Sequence, residues 1–498
     1  MRTIALIIAA ALAFFGTPAS GFPTAQEASK PNLVVILADD LDEGSLETML
    51  RAGLLPHIQR TFVAGGIRFV NSFVTNAVCA PSRATFLTGQ YSHNHGVLHN
   101  GDLTGRGGVT ALDHSSTLPV WLREAGYRTG HVGKYLNGYG ATTDRAWVPP
   151  GWDYWQGLID PSTYKVYGYF INDNGDPSDE PIMIYQTDFL AQRSVRFVHE
   201  CDRLNDNQPF FLVVAPLAPH VEVHESSGNI WEWTIRPALR HEGSTDFLKL
   251  PRPPSFNELD ARDKPRWLRE RPLLGPADVT ALERKYRDRL ASLRAVDDLV
   301  GEVMKALEET GEADRTVLVL TADNGYFYGE HRLPEKLAAY EEAIRVPLYI
   351  RVPGLAGGRE VRDAALNTDL APTLVELAGA TAGRVMDGRS LVPALLGGGG
   401  LGRKRFLVEH WMVGGRYTVP TYSAVRTLVG EPAAPLALYV EYREGEWGAR
   451  EYYELVTDPY QLESRHDDLS TGWKRAYLNG YLERLRWAYG PRVRDLED

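Results

Sequence analysis

Cysteine is nearly missing from this chain: its 498 residues include two, Cys79 and Cys201. So few exclude a disulfide-stapled scaffold, and a chain this long does not need the staple. One bridge between the two is the plain alternative to a functional cysteine. A surplus of positive charge is missing too. The formal net charge of −11 argues against nucleic acid as a partner, but not against small anions, which feel only the local field. Long apolar runs are missing beyond the leader. Residues 1–20 carry Arg2, an apolar run over 4–15, and the small residues Gly16-Thr17-Pro18-Ala19-Ser20, the pattern of a signal peptide too short to remain as an anchor. No cysteine sits at the expected cleavage point, so a lipid anchor is not indicated. The expectation is an exported protein, secreted or periplasmic, with neither a membrane nor a nucleic-acid partner.

The composition that is present, 44% hydrophobic and 23% charged, is that of a soluble globular protein. The length calls for a large domain and a smaller one. Residues 33–38 form a short continuous apolar run that reads as a buried parallel strand. Asp39 and Asp40 follow it directly. Adjacent strand residues point to opposite faces, so the chain must turn for both carboxylates to serve one site. Neighbouring carboxylates repel unless a cation lies between them; solvated, helix-capping aspartates are the plain alternative. Strands expected over 127–132, 210–215 and 316–322 also end in polar groups: Gly133-Lys134, Pro219-His220 and Asp323-Asn324-Gly325. Prolines 216 and 219 stiffen the turn that aims His220. A helix opening at Pro276 carries one apolar stripe, Leu282, Tyr286, Leu290, Leu293, Val296, Val300, Val303 and Leu307, that suits packing on a sheet. The irregular stretch 221–276 reads as a lid or binding segment, and the aromatic loop 149–155 as a pocket wall.

The most informative stretch is Cys79-Ala80-Pro81-Ser82-Arg83, continuing to Leu87-Thr88-Gly89-Gln90. Pro81 can open a helix, because the first helical position needs no N–H. Cys79 then lies just before the helix, near its positive end and beside Arg83, a setting that favours an anion. His93, His95 and His99 follow among Asn and Gly, and read as pocket or surface residues rather than zinc ligands. In open α/β sheets ligands bind outside the carboxyl ends of the strands, so one rule brings Asp39, Asp40, Lys134, His220, Asp323 and Asn324 to one rim. Three carboxylates and an amide oxygen make a hard-oxygen site suited to Ca²⁺ or Mg²⁺. Arg83, Lys134, Lys336 and His220 supply donors and positive charge, which suits the head of a sulfate or phosphate ester. Farther on, Gly397-Gly398-Gly399-Gly400 reads as a flexible linker, and strand-like runs over 405–408, 422–428, 436–442 and 451–456 with a helix near 473–487 form a small antiparallel unit. The expected organisation is a leader at 1–20, a large α/β domain at 31–396 and a C-terminal subdomain at 401–498.

The Cys79–Arg83 stretch with Leu87-Thr88-Gly89 resembles the signature of the type I, formylglycine-dependent sulfatases. Asp39-Asp40, Gly133-Lys134, Pro219-His220 and Asp323-Asn324-Gly325 fall in that family's order, and the resemblance runs on to Tyr453-Glu454-Leu455 and Asp458-Pro459. It implies an alkaline-phosphatase-like core, a mostly parallel sheet flanked by helices, with a smaller antiparallel C-terminal sheet. It also implies that a formylglycine-generating enzyme converts Cys79 to Cα-formylglycine. Asp39, Asp40, Asp323, Asn324 and the oxygen at position 79 would bind Ca²⁺, or Mg²⁺. Arg83, Lys134 and Lys336 would surround the sulfate, and His220 would protonate the leaving alkoxide. The runs from Gly133 to Gly140 and from Ser292 to Leu299, with Pro150-Gly151-Trp152 and His93-Asn94-His95, resemble the glucosamine-6-sulfatase branch, which implies a small-molecule or glycan sulfate ester as substrate. Three positions depart from the pattern. Leu136 stands where many sulfatases have histidine, Gln90 stands at an often basic position, and Gly329-Glu330-His331 resembles other bacterial sulfatases. His331 is left outside the core set. The rival readings are an aryl or choline sulfatase, a phosphomonoester or phosphonate hydrolase of the same superfamily, and a non-enzymatic binder of sulfated glycans.

Overall fold

The computed structural model describes residues 30–101, 105–222, 230–398, 400–412, 419–444 and 448–498. The expected leader lies outside them, as do Gly399 of the glycine run and residues 223–229 of the irregular segment. No helix among the described residues is long and apolar enough to cross a membrane.

In chain order the strands are β1 (Asn32–Ala38), β2 (Ile67–Phe73), β3 (Arg128–Gly133), β4 (Tyr154–Leu158), β5 (Ile171–Asp173), β6 (Asp176–Pro177), β7 (Phe210–Ala215), β8 (Thr316–Ala322), β9 (Phe327–Tyr328), β10 (Pro334–Glu335), β11 (Leu348–Arg351), β12 (Arg359–Leu366), β13 (Arg405–His410), β14 (Tyr422–Thr427), β15 (Ala437–Tyr442) and β16 (Arg450–Glu454). Ten make one sheet in the order β12-β2-β11-β8-β1-β7-β3-β4-β5-β6. β1 lies parallel between β7 and β8, and β3 lies parallel between β7 and β4. β11 runs antiparallel to β2 and β8, and β5 and β6 form an antiparallel edge.

Every residue of β1, β7 and β8 is buried, which is why these runs show no polar alternation. The pleat sends Val34 and Ile36 to one layer, with Leu212, Val214, Leu318, Leu320 and Leu293. Leu33 and Val35 go to the other, with Phe211, Val213, Val317, Val319 and Leu374. Helices Gln186–Leu204 and Pro276–Glu309 cover the first face, and Leu118–Glu124 and Leu370–Ala378 the second. Each aliphatic side chain buried this way contributes about 1.5–3 kcal/mol. The shared direction of β8, β1, β7 and β3 puts the residues after each of them on one edge.

β13 to β16 form the expected four-stranded antiparallel sheet, with helix Gly472–Leu485 close to the expected span. This unit is fastened to the large one. Arg403, with its side chain 1% exposed, pairs with Asp369 at 2.7 Å and with Glu497 at 2.9 Å. The hydroxyl of Tyr91 donates to Glu497 at 2.6 Å, so helix Pro491–Glu497 returns to the chain just beyond the Cys79 stretch. Phe73 of β2 and Phe406 of β13 pack ring to ring, 4.8 Å between centroids.

Candidate active site

The carboxyl edge of β8, β1, β7 and β3 gathers Asp39, Asp40, Lys134, His220, Asp323 and Asn324. Asp39 and Asp40 follow β1, Lys134 follows β3, His220 lies beyond β7, and Asp323 and Asn324 follow β8. Asp39 bridges to Pro219 across the β1 and β7 tips. Asp40 adopts φ +59°, a left-handed turn that is costly for a residue with a Cβ. That turn brings two consecutive carboxylates to one side. Gly133, at φ +120°, ends β3 against β7, where a Cβ would stand 2.2 Å from the carbonyl oxygen of Ala215. There Lys134 donates its backbone N–H to that oxygen.

The helix that carries Cys79 spans Cys79–Thr88, with Val78 as its N-cap. It starts two residues earlier than the position of Pro81 predicts. The physical reason is that the first four helical N–H groups lack intrahelical partners, so proline is tolerated at the third helical position as well as the first. Cys79 therefore lies within the first turn. Arg83, one turn on, donates Nε to Asp323 Oδ2 at 2.8 Å and Nη1 to the Lys134 carbonyl at 2.8 Å, and its Nη2 lies 3.7 Å from Asp39 Oδ1. Cys79 Sγ lies 3.5 Å from Asp39 Oδ1 and 2.9 Å from Lys336 Nζ. Lys336 also pairs with Asp40, and Lys134 with Asp39. Lys336 rides on the β9–β10 hairpin, so a residue far along the chain reaches Cys79. His220 donates Nδ1–H to the Val221 carbonyl at 2.6 Å, which leaves Nε2 facing Asp40 Oδ2 at 3.5 Å.

Ligand atoms of Asp39, Asp40, Cys79 and His220 lie within 4.8 Å of one another. Asn324 donates Nδ2–H to Asp40 Oδ1 at 2.6 Å, while its own Oδ1 is buried with no hydrogen-bond partner. A buried carbonyl oxygen beside this acid cluster fits a hard cation. Asp323 accepts from the Asp40 backbone N–H at 3.1 Å and from Arg83.

Burial opposes ionisation of both aspartates, but their cationic neighbours outweigh it. Lys134, His220 and Arg83 hold Asp39 well below the usual carboxylate range, and Lys336 and His220 bring Asp40 down to about 2. Burial pushes the Cys79 thiol up to about 12 against the pull of Lys134 and Lys336, so an unmodified thiol here is not a ready nucleophile. Burial lowers His220, with Asp40 and Asp39 opposing.

Both cysteines are free; Cys201 lies on helix Gln186–Leu204, away from Cys79. The aromatic loop, expected as a pocket wall, is packed inward. Trp152 and Trp155 are buried and lie 5.3 and 4.7 Å from the His131 ring. Leu136 is buried in the layer beneath, and Gln90 ties to the Val385 carbonyl and Arg384. His331 bonds Glu258 at 2.8 Å and stacks on Tyr340, away from the cluster. His95 bonds Thr85. His93 pairs with Glu409 of β13 at 2.9 Å. Burial disfavours the His93 imidazolium, but Glu409 outweighs it and raises the pKa from 6.5 to about 9. Because the folded value is the higher one, protonation favours folding: the contribution is full below pH 6.5 and is lost as pH rises to about 9. His93→Gln should therefore destabilise at pH 6 by up to about 3 kcal/mol. Denaturant midpoints of the two proteins should converge by about pH 9.5, and a gap independent of pH would refute the linkage.

Sequence reasoning passed over Arg289 and Tyr164. Tyr164 lies with its ring 5.2 Å from His220 and 4.9 Å from Lys134 Nζ. Arg289, fully buried, reaches the carbonyls of Asp40 and Pro219. A signal for Arg289 was available: it falls on the apolar stripe of its helix, between Tyr286 and Leu293, where a charge needs a reason.

A sheet of this order, with acids and cations meeting at one strand edge, gives the molecule the alkaline-phosphatase-like fold. A family model described as "Sulfatase" matches residues 31–380, and one described as "N-sulphoglucosamine sulphohydrolase, C-terminal" matches residues 329–486. N-acetylglucosamine-6-sulfatase of Capra hircus is 33% identical over 88% of this chain and 80% of its own length. The Homo sapiens protein of that name is 34% identical over 84% and 72%, and an arylsulfatase of Volvox carteri 33% over 87% and 71%. Among solved structures, a protein in complex with its substrate D-glucosamine-2-N,6-O-disulfate superposes with TM-score 0.75 at 24% identity, covering 94% of this chain and 98% of that one. The chain belongs to the sulfatase family, and it is a hydrolase of sulfuric esters.

Proposed function

We propose that the protein is an exported sulfatase that hydrolyses a 6-O-sulfate ester of a glucosamine-like sugar, with Cα-formylglycine at position 79 and Ca²⁺, or Mg²⁺, at the acid cluster. The observation that carries this reading is the convergence of Asp39, Asp40, Arg83, Lys134, His220 and Lys336 around the side chain of Cys79. The sugar assignment rests on the relatives named N-acetylglucosamine-6-sulfatase. Asp39, Asp40, Asp323, Asn324 and the oxygen at position 79 would hold the cation, which supplies charge stabilisation at the sulfate head. The formylglycine, made by a formylglycine-generating enzyme, supplies a hydrated aldehyde, a nucleophile that can discharge sulfate where a thiol has no easy way to.

The chain's own groups do the rest. Arg83, Lys134 and Lys336 supply positive charge near position 79, and bind and orient the sulfate oxygens. The hydrogen bond from His220 to Val221 fixes its ring, so Nε2 is the atom that delivers a proton to the departing sugar oxygen. The burial of Cys79 and of both aspartates, each at most 1% exposed, keeps water away from these charges and strengthens them.

Two measurements on one preparation test the reading. Mass spectrometry of the peptide carrying residue 79 should show the aldehyde; wholly unmodified cysteine in active enzyme would falsify the proposal. Rates on glucosamine-6-sulfate, an aryl sulfate, choline sulfate and an aryl phosphate should rank the sugar ester first. A phosphate ester at the top would point to the phosphohydrolase alternative, and no turnover on any ester to a binding protein.

A further inference from the structure

We propose that Arg289 is a positioning residue for this reaction: from the long helix Pro276–Glu309 it locks the Asp40 turn and the Pro219–His220 turn to each other, and thereby sets both the cation's ligand geometry and the aim of His220. The guanidinium donates Nη2–H to the Asp40 carbonyl at 2.5 Å, Nη1–H to the Pro219 carbonyl at 2.8 Å and Nε–H to the Tyr328 hydroxyl at 2.8 Å. Its flat face lies 3.7 Å from the centre of the Tyr326 ring. Each partner belongs to a different part of the site. Asp40 lies just beyond β1, Pro219 precedes His220 beyond β7, and Tyr326 and Tyr328 follow Asn324, Tyr328 within the β9–β10 hairpin that Lys336 follows.

Two observations separate this from ordinary packing. First, Arg289 is fully buried, and these three hydrogen bonds go to neutral oxygens rather than carboxylates. Burying a charge on such terms is costly, and a methionine or leucine on the same stripe would serve stability better. Second, the carbonyl it grips belongs to Asp40, whose left-handed backbone is disfavoured for any L-residue and persists only when its surroundings over-determine it. A planar fork with divergent N–H groups can span Asp40, Pro219 and Tyr328 at once; a lysine ammonium at the end of a flexible stem cannot.

This rests on the reading that the Asp40 cluster holds a cation, and the experiment separates the two. Calcium binding is measured by calorimetry on wild-type protein and Arg289→Lys, alongside kcat and KM on an aryl sulfate and a sugar 6-sulfate. Arg289→Lys should weaken Ca²⁺ binding about tenfold or more, as lost support of ligand geometry does. Its kcat should fall more on the sugar ester than on the aryl ester, with KM for each changing less than about threefold, because only the sugar ester needs the proton. Unchanged Ca²⁺ affinity together with an unchanged ratio of the two kcat values overturns the inference, even if the melting temperature drops. Wild-type protein that takes up no Ca²⁺ overturns the cation reading and this inference with it. Should Arg289→Lys not accumulate as folded protein, Tyr328→Phe keeps the guanidinium and removes one of its anchors; it should show the same pattern at about two- to fivefold, and wild-type behaviour there overturns the inference too.

Discussion

Cys79→Ala should release sulfate about 10⁶-fold more slowly than the parent enzyme, the scale on which removal of a nucleophile registers, and should melt within a few degrees of it. The second half of the expectation follows from the pairing around the site. With the sulfur gone, Lys336 still has Asp40, Lys134 still has Asp39 and Arg83 still has Asp323. No buried charge is stranded, and stranded charges are what make substitutions in such clusters costly. The variant should keep the carboxylates proposed to hold the cation and bind a sulfated sugar without turning it over. Sulfate release within tenfold of wild type, followed by ion chromatography, would show that another atom attacks sulfur.

His220→Gln should divide substrates by their leaving groups. An activated aryl oxygen departs as a stable anion, whereas a sugar alkoxide needs a proton in the transition state. Loss of a positioned general acid costs about 10²- to 10⁴-fold, so kcat on a sugar 6-sulfate should fall by that factor, while kcat on a nitrophenyl sulfate should fall by less than about tenfold. His220 also belongs to the group of four residues that could hold a metal. If its role were ligation, both substrates would lose rate equally and added Ca²⁺ would restore part of it. The slope of log kcat against leaving-group pKa for the two enzymes separates these outcomes: it should steepen in the variant if His220 donates the proton.

The strands that form the site were legible because their composition leaves little choice. Runs such as those at β1, β7 and β8 are apolar on both faces, and only a doubly covered parallel sheet accommodates them. Once such strands share a direction, their polar ends share an edge, and Asp39, Lys134, His220 and Asp323 come together with no knowledge of what lies between. Backbone detail was not legible. Nothing in the letters Asp39-Asp40 states that the second adopts a left-handed conformation, and the arginine that grips its carbonyl sits on a helix about 250 residues away. The tryptophans at 152 and 155 looked like a pocket wall because aromatic loops often are; burial against His131 depends on how β4 sits beside β3, a tertiary fact.

The pairing of β1 bears on how this molecule is made. Asn32 aligns with Thr316 and Ala38 with Ala322, so an early stretch of the chain must wait for one that emerges much later. Contacts so distant along the polypeptide close slowly. Until they close, the segment around Cys79 remains within reach of another protein; afterwards, at 1% exposure, it does not. Any enzyme that modifies that side chain therefore competes in time with folding, and faster collapse of the sheet would yield more polypeptide left permanently in its unmodified state.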